Sequence, residues 1–230
     1  MSAEAEPLDV IAVGAPLARP AGEGYRPGSI DLTGGEPTPR CEDPAIRREE
    51  ARRAAAVLGV HRRVILDLPN RRLFDSFEAR CLLATELRRY RPRIVIGFGD
   101  KTPLASPDHF QAMQITDAAV FYSRLTKWEE HFAGTPPHTI PSQLYFRLAF
   151  EPNLHAANEF VADISDTLEL KLEAIGCYAT QFPPEKAYVF ERVRGAALLA
   201  GAASGCRAGE VFRGVRPPLA DDLVRFVSPR

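Results

Sequence analysis

The chain has 230 residues and a formal net charge of −1, with 45% hydrophobic and 26% charged residues. This is the composition of an ordinary globular protein, and the length suits one large α/β domain. The charge balance lacks the basic surplus typical of proteins that bind nucleic acid or anionic membranes, so we expect neither partner.

The cysteines and the N-terminus indicate a cytoplasmic protein. The four cysteines are far apart and form no C-x-x-C pair, which favours reduced thiols (Cys41, Cys81, Cys177, Cys206). The first apolar run, Leu8–Val13, follows no basic region and is too short for a signal peptide or a membrane span. We predict one domain over residues 1–230, with residues 1–7 as a disordered tail, and we leave open a homo-oligomer.

Buried apolar runs alternate with segments of helical spacing along the chain. The predicted strands are Leu8–Val13, Gly28–Thr33, Arg63–Leu68, Arg93–Phe98, Gln143–Ala149 and Phe160–Ile164. The predicted helices are 45–59 behind Pro44, 75–90 with Asp75 or Ser76 as the cap, 107–122, 167–182 behind an Asp166 cap, and about 185–203, followed by an irregular tail.

This alternation predicts a Rossmann-like, doubly wound α/β fold, with a mainly parallel sheet and helices on both faces. Ligands of such sheets lie beyond the carboxyl ends of the strands. We therefore expect the site at four loops: Gly14–Pro16, Thr33–Arg40, Leu68–Asn70 and Gly99–His109.

Five segments in order carry a family resemblance: DLTGGEPTPR, IRREEARRAAAVLGV, SPDH before a helix, FVADISDTLELKLEAIGCYATQF and EVFRGVRPPLADDL. The chain resembles the LmbE/PIG-L family of zinc-dependent N-deacetylases over about residues 8–223. Within it, the chain looks most like the bacillithiol-type enzymes, which remove acetyl from N-acetylglucosaminyl-malate. The resemblance implies a small amino-sugar conjugate as substrate.

The resemblance also implies roles for individual residues. His109 matches a zinc ligand, and Asp108 and Ser106 are the candidate catalytic residues. The predicted substrate-binding residues are Glu36, Arg40, Arg47, Tyr178 and Gln181. Arg47 with Glu50 also fits a helix surface pair at i, i+3, and Tyr178 and Gln181 also fit core and cap positions. The aromatic residues around Trp128 indicate packing more than a ligand platform.

The chain departs from the family pattern at two points. Family members follow the first strand with A-H-P-D-D, which supplies two zinc ligands and the general base, whereas this chain has GAPLARP. The family's HPDH is SPDH here, so Ser106 stands where the oxyanion-stabilising His would stand. We expect the segment Pro16–Gly24, from which the A-H-P-D-D motif is missing, to pack loosely, since its prolines and glycines disfavour regular structure.

Three interpretations follow from these departures. In the first, the chain is a zinc-dependent N-deacetylase whose missing ligands are replaced by carboxylates such as Asp31, Glu36, Asp100 or Asp108. Alternatively, it is a catalytically degenerate member that keeps the fold and a sugar-binding or partner-binding pocket. In the third, the A-H-P-D-D motif is missing because of a deletion or an erroneous gene model.

Overall fold

A computed structural model describes residues 5–14, 24–35, 40–41, 43–149, 157–222, 224 and 226. In these residues the strands are β1 (Val10–Val13), β2 (Pro27–Thr33), β3 (Arg62–Leu68), β4 (Ile94–Phe98), β5 (Ser142–Phe146), β6 (Glu159–Asp163) and β7 (Gly209–Gly214). The α-helices are α1 (Pro44–Val57), α2 (Phe77–Tyr90), α3 (Asp108–Tyr122), α4 (Leu168–Gly176) and α5 (Tyr188–Ser204), and Glu129–Phe132 and Pro184–Lys186 are 3-10 helices.

The strands form one sheet in the order β3-β2-β1-β4-β5-β7-β6. Strands β3, β2, β1, β4 and β5 are parallel to one another, whereas β7 is antiparallel to both β5 and β6. The mainly parallel α/β fold is thus confirmed. The strand order reverses direction between β1 and β4, and this switch point is where open α/β sheets bind ligands.

Capping residues fix where the first two helices begin. The Asp43 side chain accepts a hydrogen bond from Ala45 N at 2.8 Å, with Pro44 at the first helical position of α1. Ser76 caps α2 by accepting from Ala79 N at 3.2 Å. Both caps satisfy amide donors that have no partner within the helix.

The helices cover both faces of the sheet. Helices α2 and α3 contact each other and enclose the main core with β1 and β4, where Ile11, Leu83 and Ile115 are fully buried. On the other face, α4 contacts both α1 and α5. Smaller cores lie there, built on Leu168 between α4 and α5 and on Ala54 between α1 and α4.

Three expectations about the C-terminal third are wrong. The predicted irregular tail contains β7, which inserts between β5 and β6. Helix α4 ends at Gly176 instead of continuing to residue 182, and the residue before it is Thr167, with no side-chain cap from Asp166. Helix α5 begins at Tyr188, after a 3-10 turn.

The ends of the chain are only partly described. Ala5 packs against the main core, within the segment predicted to be a tail. Of Pro16–Gly24, the segment predicted to pack loosely, only Gly24 lies among the described residues. In the described part of the chain, no helix has the length and apolar character needed to cross a bilayer.

Candidate functional site

His109 lies at the switch point between β1 and β4. Its ring stacks on Phe98, the last residue of β4, with 4.2 Å between the centroids and 14° between the planes. Phe98 in turn lies against Gly14, which follows β1 with a φ of 76° and where an added Cβ would approach Phe98 Cε2 to 3.0 Å. The carboxyl ends of both strands therefore meet at the imidazole of His109.

A buried threonine binds Nδ1 of His109. The Thr102 hydroxyl lies 3.3 Å from the Ser106 carbonyl oxygen and 3.0 Å from His109 Nδ1. When the hydroxyl proton is donated to the Ser106 carbonyl, Nδ1–H donates to Thr102 and Nε2 is left as an acceptor; when it is donated to Nδ1, the roles of the two ring nitrogens reverse. Burial lowers the pKa of His109, partly offset by Asp108, so the neutral ring is favoured.

The two predicted catalytic residues are beside His109 in the chain: Asp108 is the first residue of α3, and Ser106 lies two residues before it. Asp108 is buried, and its Oδ2 accepts from the backbone N–H of Arg71 at 2.6 Å. The Ser106 Oγ accepts from Asp108 N at 3.3 Å. The structure thus brings Ser106, Asp108 and His109 together at the start of α3, with the Ser106 hydroxyl bound to the amide of Asp108.

The loop after β3 closes the other side of this group. Arg71 has a φ of 62°, a conformation that costs a non-glycine residue energy. Thr33, the last residue of β2, donates to Asn70 Oδ1 at 3.4 Å. The carboxyl ends of β2 and β3 are thereby linked to the first turn of α3 through Asn70, Arg71 and Asp108.

The described residues do not fit a three-ligand zinc site. Among them, no three His, Cys, Asp or Glu side chains come together as a metal-binding group. Of the carboxylates expected as replacement ligands, Asp31 pairs with Arg63 at 2.6 Å and Asp100 accepts from Lys101 N at 2.6 Å. Glu36 lies outside the described residues.

Arg47, Tyr178 and Gln181 form a second group, next to the loop that follows β2. Arg47 donates to Gln181 Oε1 at 2.8 Å, and its guanidinium lies 5.3 Å from the Tyr178 ring centroid. A Cβ added at Gly35, two residues after β2, would come within 3.3 Å of Arg47 Nε. The sequence therefore grouped three residues that the structure also groups, and their role in substrate binding stays a prediction.

The expected surface pair of Arg47 and Glu50 is wrong, since both side chains are buried. Glu50 accepts from Arg47 at 3.2 Å, and from the amide and hydroxyl of Thr180 at 2.7 and 2.6 Å. Burial alone would raise the pKa of Glu50, but these hydrogen bonds outweigh it and lower the pKa. This network attaches α1 to the turn after α4.

Arg40 stands apart from both groups. It is exposed and donates to Glu185 at 3.2 Å, in the 3-10 helix before α5. Its assignment to substrate binding remains a prediction on the family motif alone.

Sequence reasoning missed Thr102, Phe98 and the Arg71 amide. Thr102 lies seven residues before His109 in an irregular loop, so no helical or strand spacing relates the two. A backbone amide carries no sequence signal at all. The one available signal was Phe98, since the last residue of a strand beside the site can face the ligand.

Known proteins resemble the chain in sequence. The family model for GlcNAc-PI de-N-acetylase, PIG-L, matches residues 9–120. A diacetylchitobiose deacetylase from Thermococcus kodakarensis is 34% identical over 191 residues, covering 81% of this chain and 68% of the relative.

Solved structures share the fold over nearly the whole chain. The conserved protein TT1542 from Thermus thermophilus has a TM-score of 0.77 at 28% identity, covering 94% of this chain and 98% of that one. GalB, the 4-carboxy-2-hydroxymuconate hydratase of Pseudomonas putida, has a TM-score of 0.75 at 21% identity, with 94% and 100% covered, a likeness of fold alone. By its sequence match to the diacetylchitobiose deacetylase and to the family model, the chain belongs to the PIG-L family.

Proposed function

We propose that this chain is an N-deacetylase of low activity that binds N-acetylglucosamine-type sugars at the carboxyl ends of β1 and β4. The observation that carries the proposal is the match to a diacetylchitobiose deacetylase over 81% of the chain. The site geometry agrees, because Asp108 and His109 stand at the switch point of the sheet.

The residues of the chain supply part of what amide hydrolysis needs. His109 is held by Thr102 at Nδ1, 3.0 Å away, and Asp108 is held by the Arg71 amide at 2.6 Å. Ser106 can donate one hydrogen bond but carries no positive charge toward a developing oxyanion. In the family, zinc supplies an activated water, but the described residues form no group able to hold the ion.

A catalytically degenerate protein that only binds the sugar is the second candidate. It is favoured by the sequence GAPLARP after β1, where the family has A-H-P-D-D, and by Ser106. The fold itself allows other chemistry, since a hydratase shares it at a TM-score of 0.75.

The substrate assignment is open between two conjugates of N-acetylglucosamine. The sequence motifs favour N-acetylglucosaminyl-malate, whereas the 34% identical relative is named for diacetylchitobiose. Both carry the same acetamide on the same sugar, so we propose the shared N-acetylglucosaminyl group as the recognised unit.

Acetate release tests the proposal directly. The purified chain is incubated with N,N'-diacetylchitobiose or N-acetylglucosaminyl-malate, with the Thermococcus relative as reference and His109→Ala as control. We expect turnover at least about 100-fold slower than the reference, from loss of the oxyanion donor alone, and abolished in the variant. Binding without any acetate release would support the degenerate protein instead, and the absence of binding would refute both.

A further inference from the structure

Strand β3 forms one edge of the sheet, and it carries apolar residues on both faces. Val64 and Leu66 pack against the main core, whereas Ile65 lies on the opposite face, beside α1. None of the seven residues of β3 is fully buried, and residues 63–66 are all half-buried. Proteins normally cover or interrupt an apolar edge, because it pairs readily with another strand. The edge of β3 is therefore available to a partner.

The backbone of β3 has hydrogen-bonding groups left for a further strand. The strand pairs with β2 on one side only, so alternate residues direct their N–H and C=O groups away from the sheet. Within the described ranges, no backbone group takes up these outward donors and acceptors. Asp67 has a φ of 52°, and the register with β2 shifts between Asp31 and Thr33. This bulge ends the regular edge and leaves residues 62–66 for pairing.

A groove of about 410 Å³ lies between this edge and α1. Apolar side chains and three arginines line it (Ala55, Val60, Ile65, Arg48, Arg52, Arg63), and no carboxylate is among the described residues of its lining. Arg63 is already paired with Asp31 at 2.6 Å, so Arg48 and Arg52 remain to meet a ligand. The groove therefore suits a ligand that carries both apolar and acidic groups.

Arg48 and Arg52 are only loosely held by the carboxylates near them. Their side chains are 61% and 69% exposed, with Arg48 3.9 Å from Asp67 and Arg52 2.7 Å from Glu49. Exposed ion pairs contribute little stability, so both arginines can turn to other carboxylates. The segment 44–68 carries six arginines and three carboxylates, a net charge of +3 in a chain whose net charge is −1. This local surplus attracts an acidic partner.

We propose that residues 62–66 and the groove bind an acidic, extended peptide segment of another protein, which adds a strand to the sheet at β3. A polypeptide backbone supplies the alternating donors and acceptors that the edge pairs with. Side chains on the α1 face of the added strand fill the apolar part of the groove and bring carboxylates to Arg48 and Arg52.

A second copy of the chain fits this edge poorly. A two-fold pairing of β3 with itself would bring the two arginine-rich α1 helices towards each other, and like charges that face each other destabilise such a pairing. The inference is also independent of the proposed function, since it uses neither Asp108 nor His109.

The test is binding of the labelled peptide Thr-Val-Thr-Glu-Thr-Val-Thr-Glu to the full chain, followed by fluorescence anisotropy. Its valines and glutamates share one face of an extended strand. We expect saturable binding that weakens with added salt, and amide hydrogen exchange that slows at residues 62–66 when the peptide is bound. Lysine in place of glutamate should abolish binding. N-methylation of the peptide amides should weaken it at least about tenfold, because the backbone pairing is lost.

A pair of charge-reversed variants locates the binding surface. Arg48→Glu combined with Arg52→Glu should weaken binding of the acidic peptide at least about tenfold, since both contacts become repulsive. Both side chains are exposed, so the double change should not affect folding. Arg192→Glu combined with Arg207→Glu is the matched control, because both residues are exposed outside the groove and the net charge changes by the same amount.

Four results would overturn the inference. The first is the absence of saturable binding. Equal binding of the methylated peptide would reduce the interaction to attraction between charges, and an equal effect of the two double variants would assign it to the net charge of the whole chain. If the chain alone sediments as a dimer and residues 62–66 are already protected from exchange, the edge of β3 is an interface between copies.

Discussion

At the scale of single residues, we expect the hydrogen bond between Thr102 and His109 to favour the Nδ1–H tautomer. We predict that Thr102→Val shifts His109 toward the Nε2–H tautomer by about fivefold, the effect of one hydrogen bond of about 1 kcal/mol. The two tautomers are separated by long-range ¹H–¹⁵N correlation spectra. Thr85→Val is the control, since its hydroxyl bonds Cys81 O within α2. Unchanged ring shifts in Thr102→Val would contradict the prediction.

A second residue-scale prediction concerns Asp117 on α3. Its Oδ1 accepts from Gln143 Nε2 at 2.6 Å and from the Tyr145 hydroxyl at 3.0 Å. Burial raises its pKa above the usual 3.8, against the effect of both hydrogen bonds. Between 3.8 and the raised pKa the folded chain holds the proton that the unfolded chain has lost, so the free energy of unfolding falls as pH rises.

Asp117→Asn keeps the acceptor and removes the charge. We expect the variant to gain stability relative to the natural chain as pH rises from about 4 toward neutrality, by about 1 kcal/mol at the plateau, the size of one hydrogen-bonded group. Urea unfolding at a series of pH values measures the difference. If the two proteins differ in the free energy of unfolding by the same amount at all pH values, Asp117 ionises as freely in the folded as in the unfolded chain, which would contradict the prediction.

At the scale of elements, local signals predicted the N-terminal half well and the C-terminal third poorly. Helix α1 begins at Pro44 and α2 follows the Ser76 cap, both as expected, because such start signals act within one turn of the chain. Helical spacing continues past Gly176, yet the chain turns there, since Thr180 binds the buried Glu50 of α1. A contact 130 residues away in sequence overrides local preference.

The strand β7 could also not be predicted from the local sequence. Val211 and Phe212 are too few apolar residues to distinguish a strand from a loop. The strand forms because β5 and β6 hydrogen-bond to its two edges. For the same reason the site was predicted only in part: the SPDH motif located Asp108 and His109, but Thr102 and Arg71 reach them through the tertiary fold.

A buried arginine organises the connection after α3, which includes Trp128. Arg88 on α2 is fully buried and donates to the carbonyl oxygens of Tyr122, Leu125 and Thr135 at 3.2, 2.6 and 3.1 Å. Its guanidinium also lies 3.7 Å from the Phe132 ring centroid. One side chain thus satisfies three carbonyls of a segment that has little regular structure.

We predict that Arg88→Met lowers the free energy of unfolding by about 3–5 kcal/mol, because it leaves buried polar groups without partners. Arg89→Met is the matched control on the same helix, where Arg89 is 42% exposed and paired with Glu86. The Arg89→Met substitution should lower the free energy of unfolding by less than about 1 kcal/mol. Equal midpoints for the two variants in urea would contradict the role given to Arg88.

At the scale of the whole molecule, the family fold is retained, and the part of the chain that the structure describes holds no group of three metal ligands. The chain keeps the sheet, the switch point and His109, and a TM-score of 0.77 to TT1542 measures how closely the fold is preserved. By the family resemblance of its sequence, we expect GAPLARP to stand where the family carries two ligands and the base. The cores under α2, α3, α4 and α5 are built from described residues of the sheet and these helices.

We therefore predict that the purified chain holds much less than one zinc per molecule. A catalytic zinc needs three protein ligands, and one imidazole does not retain the ion tightly. Mass spectrometry of metals after dialysis measures the content, with the Thermococcus relative as the positive reference and His109→Ala as the control. Because His109 alone contributes little affinity, the variant should show nearly the same low content as the natural chain. One zinc per chain that is lost in His109→Ala would mean that carboxylates outside the described residues, such as Glu36, have rebuilt the site, and the low turnover predicted for the natural chain would then lose its physical basis.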